Sequence, residues 1–144
     1  MNKIHFNNLT NLQVLLTNAE SRGIPNEDLP SISLNTQQAE ILAAIDTSLT
    51  SLEIPQAWIN FYPIGRGNEI HNHEPFSDRS DHLAIFILES GSTPEKFLCE
   101  DSSKNIQEYD AIAGDCFIIK NSEMHGLKDC IAPLAAVIFL LKTK

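Results

Sequence analysis

Three histidines carry the chemistry this 144-residue chain can offer. His71 and His73 stand two residues apart at the end of Asn60–His73, which reads NFYPIGRGNEIHNH. In a strand that spacing puts both imidazoles on one face of the sheet. His125 ends a second stretch, Gly114–His125, GDCFIIKNSEMH, and must arrive from a distant part of the chain to join them. Three neutral imidazoles meeting inside a barrel make a site for a borderline divalent metal such as iron, zinc, copper, nickel or cobalt. Such a site keeps two or three coordination positions open for substrate, water or dioxygen. The blander reading is that the three rings only hydrogen-bond within a core.

The rest of the chain limits what the site can serve. A formal net charge of −9 argues against nucleic acid and against an anionic membrane surface as partners. Cys99, Cys116 and Cys130 are odd in number and show no CxxC spacing, so reduced, buried thiols are expected rather than a disulfide framework, as suits a cytoplasmic protein. The N-terminal MNKIHFNNLTNLQ has no apolar signal-peptide core. The longest apolar run, Ile131 to Leu141, is about half of the ~20 residues needed to span a bilayer.

Two kinds of element must position the histidines. Leu9, Leu12, Leu16 and Ala19 recur at helical spacing until Gly23 and Pro25 interrupt them. Ile24 to Leu34, with two prolines, reads as an irregular connection. A second helix is expected from Asn35 or Thr36, with Leu42, Ile45 and Leu49 inward, ending near Pro55. From Ala57 the period changes to two. Strands are expected from Ala57 through Tyr62, and over His82–Leu88, Glu95–Glu100, Ile106–Tyr109, Cys116–Lys120 and Ala135–Leu141. The run HLAIFIL suits a strand covered on both faces. Short strands at this spacing make an antiparallel jelly roll or barrel. Residues 1–53 then form a helical segment packed outside a barrel of residues 54–144, in one structural domain. Trp58, Phe61, Phe86, Phe117 and Phe139 read as core, and Asn60 and Tyr62 lie on the strand entering the site, with their sidedness open. His5 reads as a surface or packing residue, and Gly65 and Gly67 as turn glycines around Arg66.

The second half of the chain resembles the cupin superfamily. Gly65, His71 and His73 match the first half of the first cupin motif, and Gly114, Lys120, Ser122, His125 and Asp129 fall at the spacing of the second, where only the glycine and histidine are identical. The motif's glutamate is replaced by Ala84. The resemblance implies a double-stranded β-helix with a divalent metal, Fe(II) first and Zn, Ni, Mn or Cu as alternatives, on His71, His73 and His125. A fourth ligand would come from His82 or Asp78. Cupins with three histidines and no glutamate include thiol dioxygenases, which also need a basic group for the substrate carboxylate. Arg66, Arg79 and Lys120 are the candidates. Such barrels are often homodimers.

Ala57–Pro75 with Asp81–Leu88 is also similar to small iron- and 2-oxoglutarate-dependent oxygenases. Their triad carries an acid where this chain has His73, and their last strands carry a basic residue where LAAVIFLLK offers only Lys142. The resulting expectation is a non-haem Fe(II) oxygenase acting on a small molecule. A non-catalytic metal- or ligand-binding cupin and a divergent 2-oxoglutarate oxygenase are the alternatives.

Overall fold

A computed structural model describes residues 1–5, 31–34, 52–78 and 80–143. The strands are β1 (Asn2–His5), β2 (Ser31–Leu34), β3 (Leu52–Tyr62), β4 (Asn68–His71) and β5 (His82–Glu89), followed by β6 (Glu95–Glu100), β7 (Ile106–Ala111), β8 (Asp115–Lys120), β9 (His125–Leu127) and β10 (Leu134–Thr143). They form two antiparallel sheets. The larger has the order β1-β8-β5-β10-β3-β2 and the smaller the order β4-β9-β6-β7. Consecutive strands repeatedly pass from one sheet to the other, which closes the two layers around a shared interior.

The sequence pattern explains which strands lie at the centre. β5 and β10 are apolar on both faces, and both faces are buried. Leu83 and Ile87 are 0% and 2% exposed on one side, and Ala84 and Phe86 are 0% and 3% exposed on the other. Phe97 of the smaller sheet stacks on Phe117 of the larger, with ring centroids 4.3 Å apart, joining the layers, and the His125 ring lies 6.3 Å from Phe97. The three cysteines form no disulfide and are buried, and burial pushes the Cys99 and Cys130 thiols up to about 12. Those two thiols are therefore protonated and unreactive at neutral pH.

The helical N-terminus is where the structure departs from the sequence reading. The first helix and nearly all of the second fall outside the described residues. Leu52–Ile54, expected to finish the second helix, instead begin β3. Ser31–Leu34, expected to be irregular, pairs as an edge strand with Ala57–Asn60. Asn2–His5 pairs with Asp115–Ile118, where His5 Nδ1 lies 2.7 Å from the buried Asp115 carboxylate. Pairing with a strand far along the chain, rather than the pattern of these short polar segments, makes them strands. Among the described residues no helix is long and apolar enough to cross a membrane.

The turn before β4 uses its glycines in two ways. Gly65 has φ +82, the left-handed value required where the Arg66 N–H closes back on the Pro63 carbonyl at 3.1 Å. At Gly67 a Cβ would stand 2.3 Å from the Leu127 carbonyl oxygen, so only glycine lets this turn lie against the end of β9.

Candidate metal centre

The structure brings His71, His73 and His125 together, with one ring nitrogen of each within 4.8 Å of the others. β4 and β9 produce the meeting. Their antiparallel register sets His71 directly opposite His125, with an irregularity between Asn68 and His71 that shifts the strand just before the first histidine. His73 follows two residues later, beyond the strand end, and its N–H donates to the Asn121 carbonyl at 2.8 Å. The Asn121 side chain donates in turn to the Ser80 carbonyl at 2.8 Å and to the Ser80 hydroxyl at 3.0 Å. Asn121 thus ties both ends of the loop after His73 to the end of β8. Gly126, beside His125, is also required by the packing. A Cβ there would lie 2.7 Å from the Asn68 carbonyl oxygen of β4.

Hydrogen bonds fix which nitrogen two of the rings offer. A carbonyl can only accept, so His71 Nδ1–H donates to the Glu69 carbonyl at 2.6 Å and His125 Nδ1–H to the Glu123 carbonyl at 3.0 Å. In the neutral rings Nε2 then carries the free lone pair, an arrangement that also orients metal-bound imidazoles. His71 Nε2 and His73 Nε2 are 3.2 Å apart. Two ligand nitrogens on one metal at ~2.1 Å stand roughly 3.0–3.4 Å from each other, so this pair already has a chelating separation. Burial, with the charge of neighbouring rings adding to it, lowers His73 to about 4. Burial likewise brings His125 to about 4, against the Glu123 carbonyl, which favours its charged form. Both rings are neutral at physiological pH and able to ligate. The donor set fits a borderline divalent metal.

The rings open into a cavity of about 110 Å³ between the sheets. Its far wall is a lattice of cross-strand neighbours in the larger sheet. Trp58, Ile138 and Ile85 form one row, and Asn60, Ala136 and Ile87 the next, with Tyr62 opposite Leu134 beyond them. Polar groups are few and neutral. Asn60 Nδ2 donates to the Tyr62 hydroxyl at 3.3 Å, and the Asn68 side chain reaches the same hydroxyl. Burial raises the Tyr62 pKa, so the phenol stays protonated.

The other residues singled out from sequence lie elsewhere. Arg66 is exposed on the turn before β4 and does not line the cavity. Lys120 is exposed at the end of β8, in a shallow cleft with His82 on the outside of the barrel. His82 pairs with Asp81 at 2.8 Å, and its side chain is 39% exposed. Asp78 is exposed in the loop after the short 3-10 turn Glu74–Phe76. Neither His82 nor Asp78 joins the histidine cluster. Arg79 lies outside the described residues. Asn68, Gly126 and Asn121 were not singled out from sequence, and of these only the glycine next to His125 left a readable signal.

No family profile matches the chain, and no curated protein sequence does. Solved structures do match. A Pseudomonas putida prolyl-4-hydroxylase superposes with a TM-score of 0.74 at 14% identity, covering 99% of this chain and 92% of that one. A prolyl hydroxylase from Trichoplax adhaerens, solved with a hypoxia inducible factor peptide fragment, gives 0.75 at 14% identity, covering 98% and 83%. An oxalate decarboxylase gives 0.56 at 11% identity over 84% of this chain and 28% of its own. The chain is a double-stranded β-helix. That is the fold anticipated from the cupin-like histidine spacing, reached at identities that speak for the fold alone.

Proposed function

We propose that this double-stranded β-helix is a mononuclear non-haem metal oxygenase acting on a small molecule. In this reading His71, His73 and His125 hold a divalent metal, Fe(II) first. The observation that carries it is the convergence of three imidazoles, two with Nδ1 pinned by backbone carbonyls, at the mouth of an apolar cavity. Structural likeness to prolyl hydroxylases supports an oxygenase type of enzyme without specifying the reaction.

When bound, Fe(II) would supply redox chemistry toward dioxygen and Lewis acidity toward a substrate atom. The chain's own residues do the rest. The Glu69 and Glu123 carbonyls hold two rings in the tautomer that leaves Nε2 free, and Asn121 fixes the backbone of the third. Leu83, Ile85, Ile87 and Phe97 keep bulk water from the interior, which strengthens every electrostatic contact there. Asn60, Tyr62 and Asn68 offer the neutral hydrogen bonds that would orient a substrate.

The test is oxygen uptake by Fe(II)-reconstituted protein over a panel of small thiols, phenols and enols, with His73→Ala as the control. Turnover lost in the variant supports the reading. A protein that holds iron yet consumes no oxygen with any of them would be a binding cupin instead.

A further inference from the structure

The fold's structural neighbours include proteins described as 2-oxoglutarate–Fe(II) oxygenases, so the cavity can be tested for its fit to that co-substrate. It does not fit. The only titratable cavity-lining groups among the described residues are the three histidines and Tyr62. 2-Oxoglutarate brings two carboxylates. One could approach the metal, but the other would sit against the last strand, where the inward side chains are Leu134, Ala136 and Ile138. Arg66, Lys120 and Lys142 are exposed and none lines the cavity. A buried carboxylate with neither a cation nor a cluster of charged donors is strongly disfavoured.

The histidine set adds a second constraint. Three neutral imidazoles leave a bound divalent ion with its full charge in an apolar pocket, which favours one anionic ligand directly on the ion. The space beyond it is small and neutral. An engineered apolar cavity of about 150 Å³ takes benzene, so the 110 Å³ here takes a body of about that size or less. Asn60, Tyr62 and Asn68 offer amide and hydroxyl groups to an uncharged oxygen on that body.

We propose that the site excludes 2-oxoglutarate and other dicarboxylates and takes one small molecule with a single ionisable head, such as a phenol or thiol, and an uncharged body. Ala136 and Ile138, facing Asn60 and Trp58 across the strand pair, are the specificity-determining positions. The inference rests on the metal-site reading above.

The test uses protein loaded with one equivalent of Co(II), whose visible bands report exchange of its ligands, together with calorimetry. Phenol, benzenethiol, succinate and 2-oxoglutarate are the probes. The monoanionic probes are expected to shift the bands, and 2-oxoglutarate to bind at least about 100-fold more weakly than benzenethiol, the scale of an uncompensated buried charge. Ile138→Lys should raise 2-oxoglutarate affinity at least about tenfold by placing a cation on the wall. Cobalt bands together with 2-oxoglutarate binding as tight as benzenethiol would overturn this inference alone. Absence of any cobalt bands would overturn it and the metal site together.

Discussion

The metal-free protein should lose stability on mild acidification, because two buried histidines must remain neutral to stay folded. His73 and His125 are 7% and 3% exposed, and both titrate at about 4 in the folded chain against about 6.5 unfolded. Between those values the unfolded state binds more protons, so stability rises with pH. The contribution is fully present above 6.5 and is lost as pH falls toward 4. From pH 7 to pH 5 the linkage amounts to about 2 kcal/mol per histidine. The two shifts share mutual repulsion, so the pair together costs about 2–4 kcal/mol, a large part of a typical 5–15 kcal/mol. Staying above pH 5 keeps most carboxylate titration out of the measurement. Urea unfolding of chelator-treated protein, followed by circular dichroism at pH 7, 6 and 5, reads the slope directly. His73→Gln/His125→Gln should flatten it. Wild-type stability equal at pH 7 and pH 5, or an unchanged slope in the double variant, would refute the reasoning.

Three further outcomes follow from particular contacts. Gly126→Ala drives a Cβ into the β4 backbone at Asn68, which no side-chain rotation relieves, so β4 and His71 must move away from His125. Zinc affinity by competition with a chromophoric chelator should fall at least about tenfold, with about 1–3 kcal/mol lost in urea unfolding. Zinc affinity equal to wild type would contradict the strand-contact argument. Glu95, 3% exposed, accepts the Ile131 and Ala132 N–H groups at 3.1 Å. Glu95→Ala strands both donors and should cost about 3 kcal/mol in urea unfolding, whereas a loss below about 0.5 kcal/mol would show that water replaces the carboxylate. His125→Ala should abolish stoichiometric zinc binding and His5→Ala should leave it intact, as equilibrium dialysis would show; equal binding by both would make the cluster accidental.

The site was legible where residue type and spacing act together. A two-residue histidine step and a lone distant histidine are rare enough to read, and β4 and β9 set two of those residues directly opposite each other. The both-faced apolar runs of β5 and β10 were equally plain. Sidedness was not. Period two says that Asn60 and Tyr62 share a face, but the register of β3 with β10 decides that the face is the cavity, opposite Ala136 and Leu134. The same parity turns Leu83, Ile85 and Ile87 inward on β5 and leaves His82 at the outer cleft with Asp81. Arg66 is near the site in sequence but sits on an exposed turn, because charge is cheaper to leave in water than to bury. The edge strands β1 and β2 carry no pattern of their own, since partners far along the chain make them strands.

Elemental analysis of purified protein, wild type beside His73→Ala and each reconstituted anaerobically with Fe(II), tests the metal centre most directly. Close to one iron per wild-type chain, lost in the variant, is the expected result. No retained metal in either protein, or equal metal in both, would contradict a centre built on His71, His73 and His125.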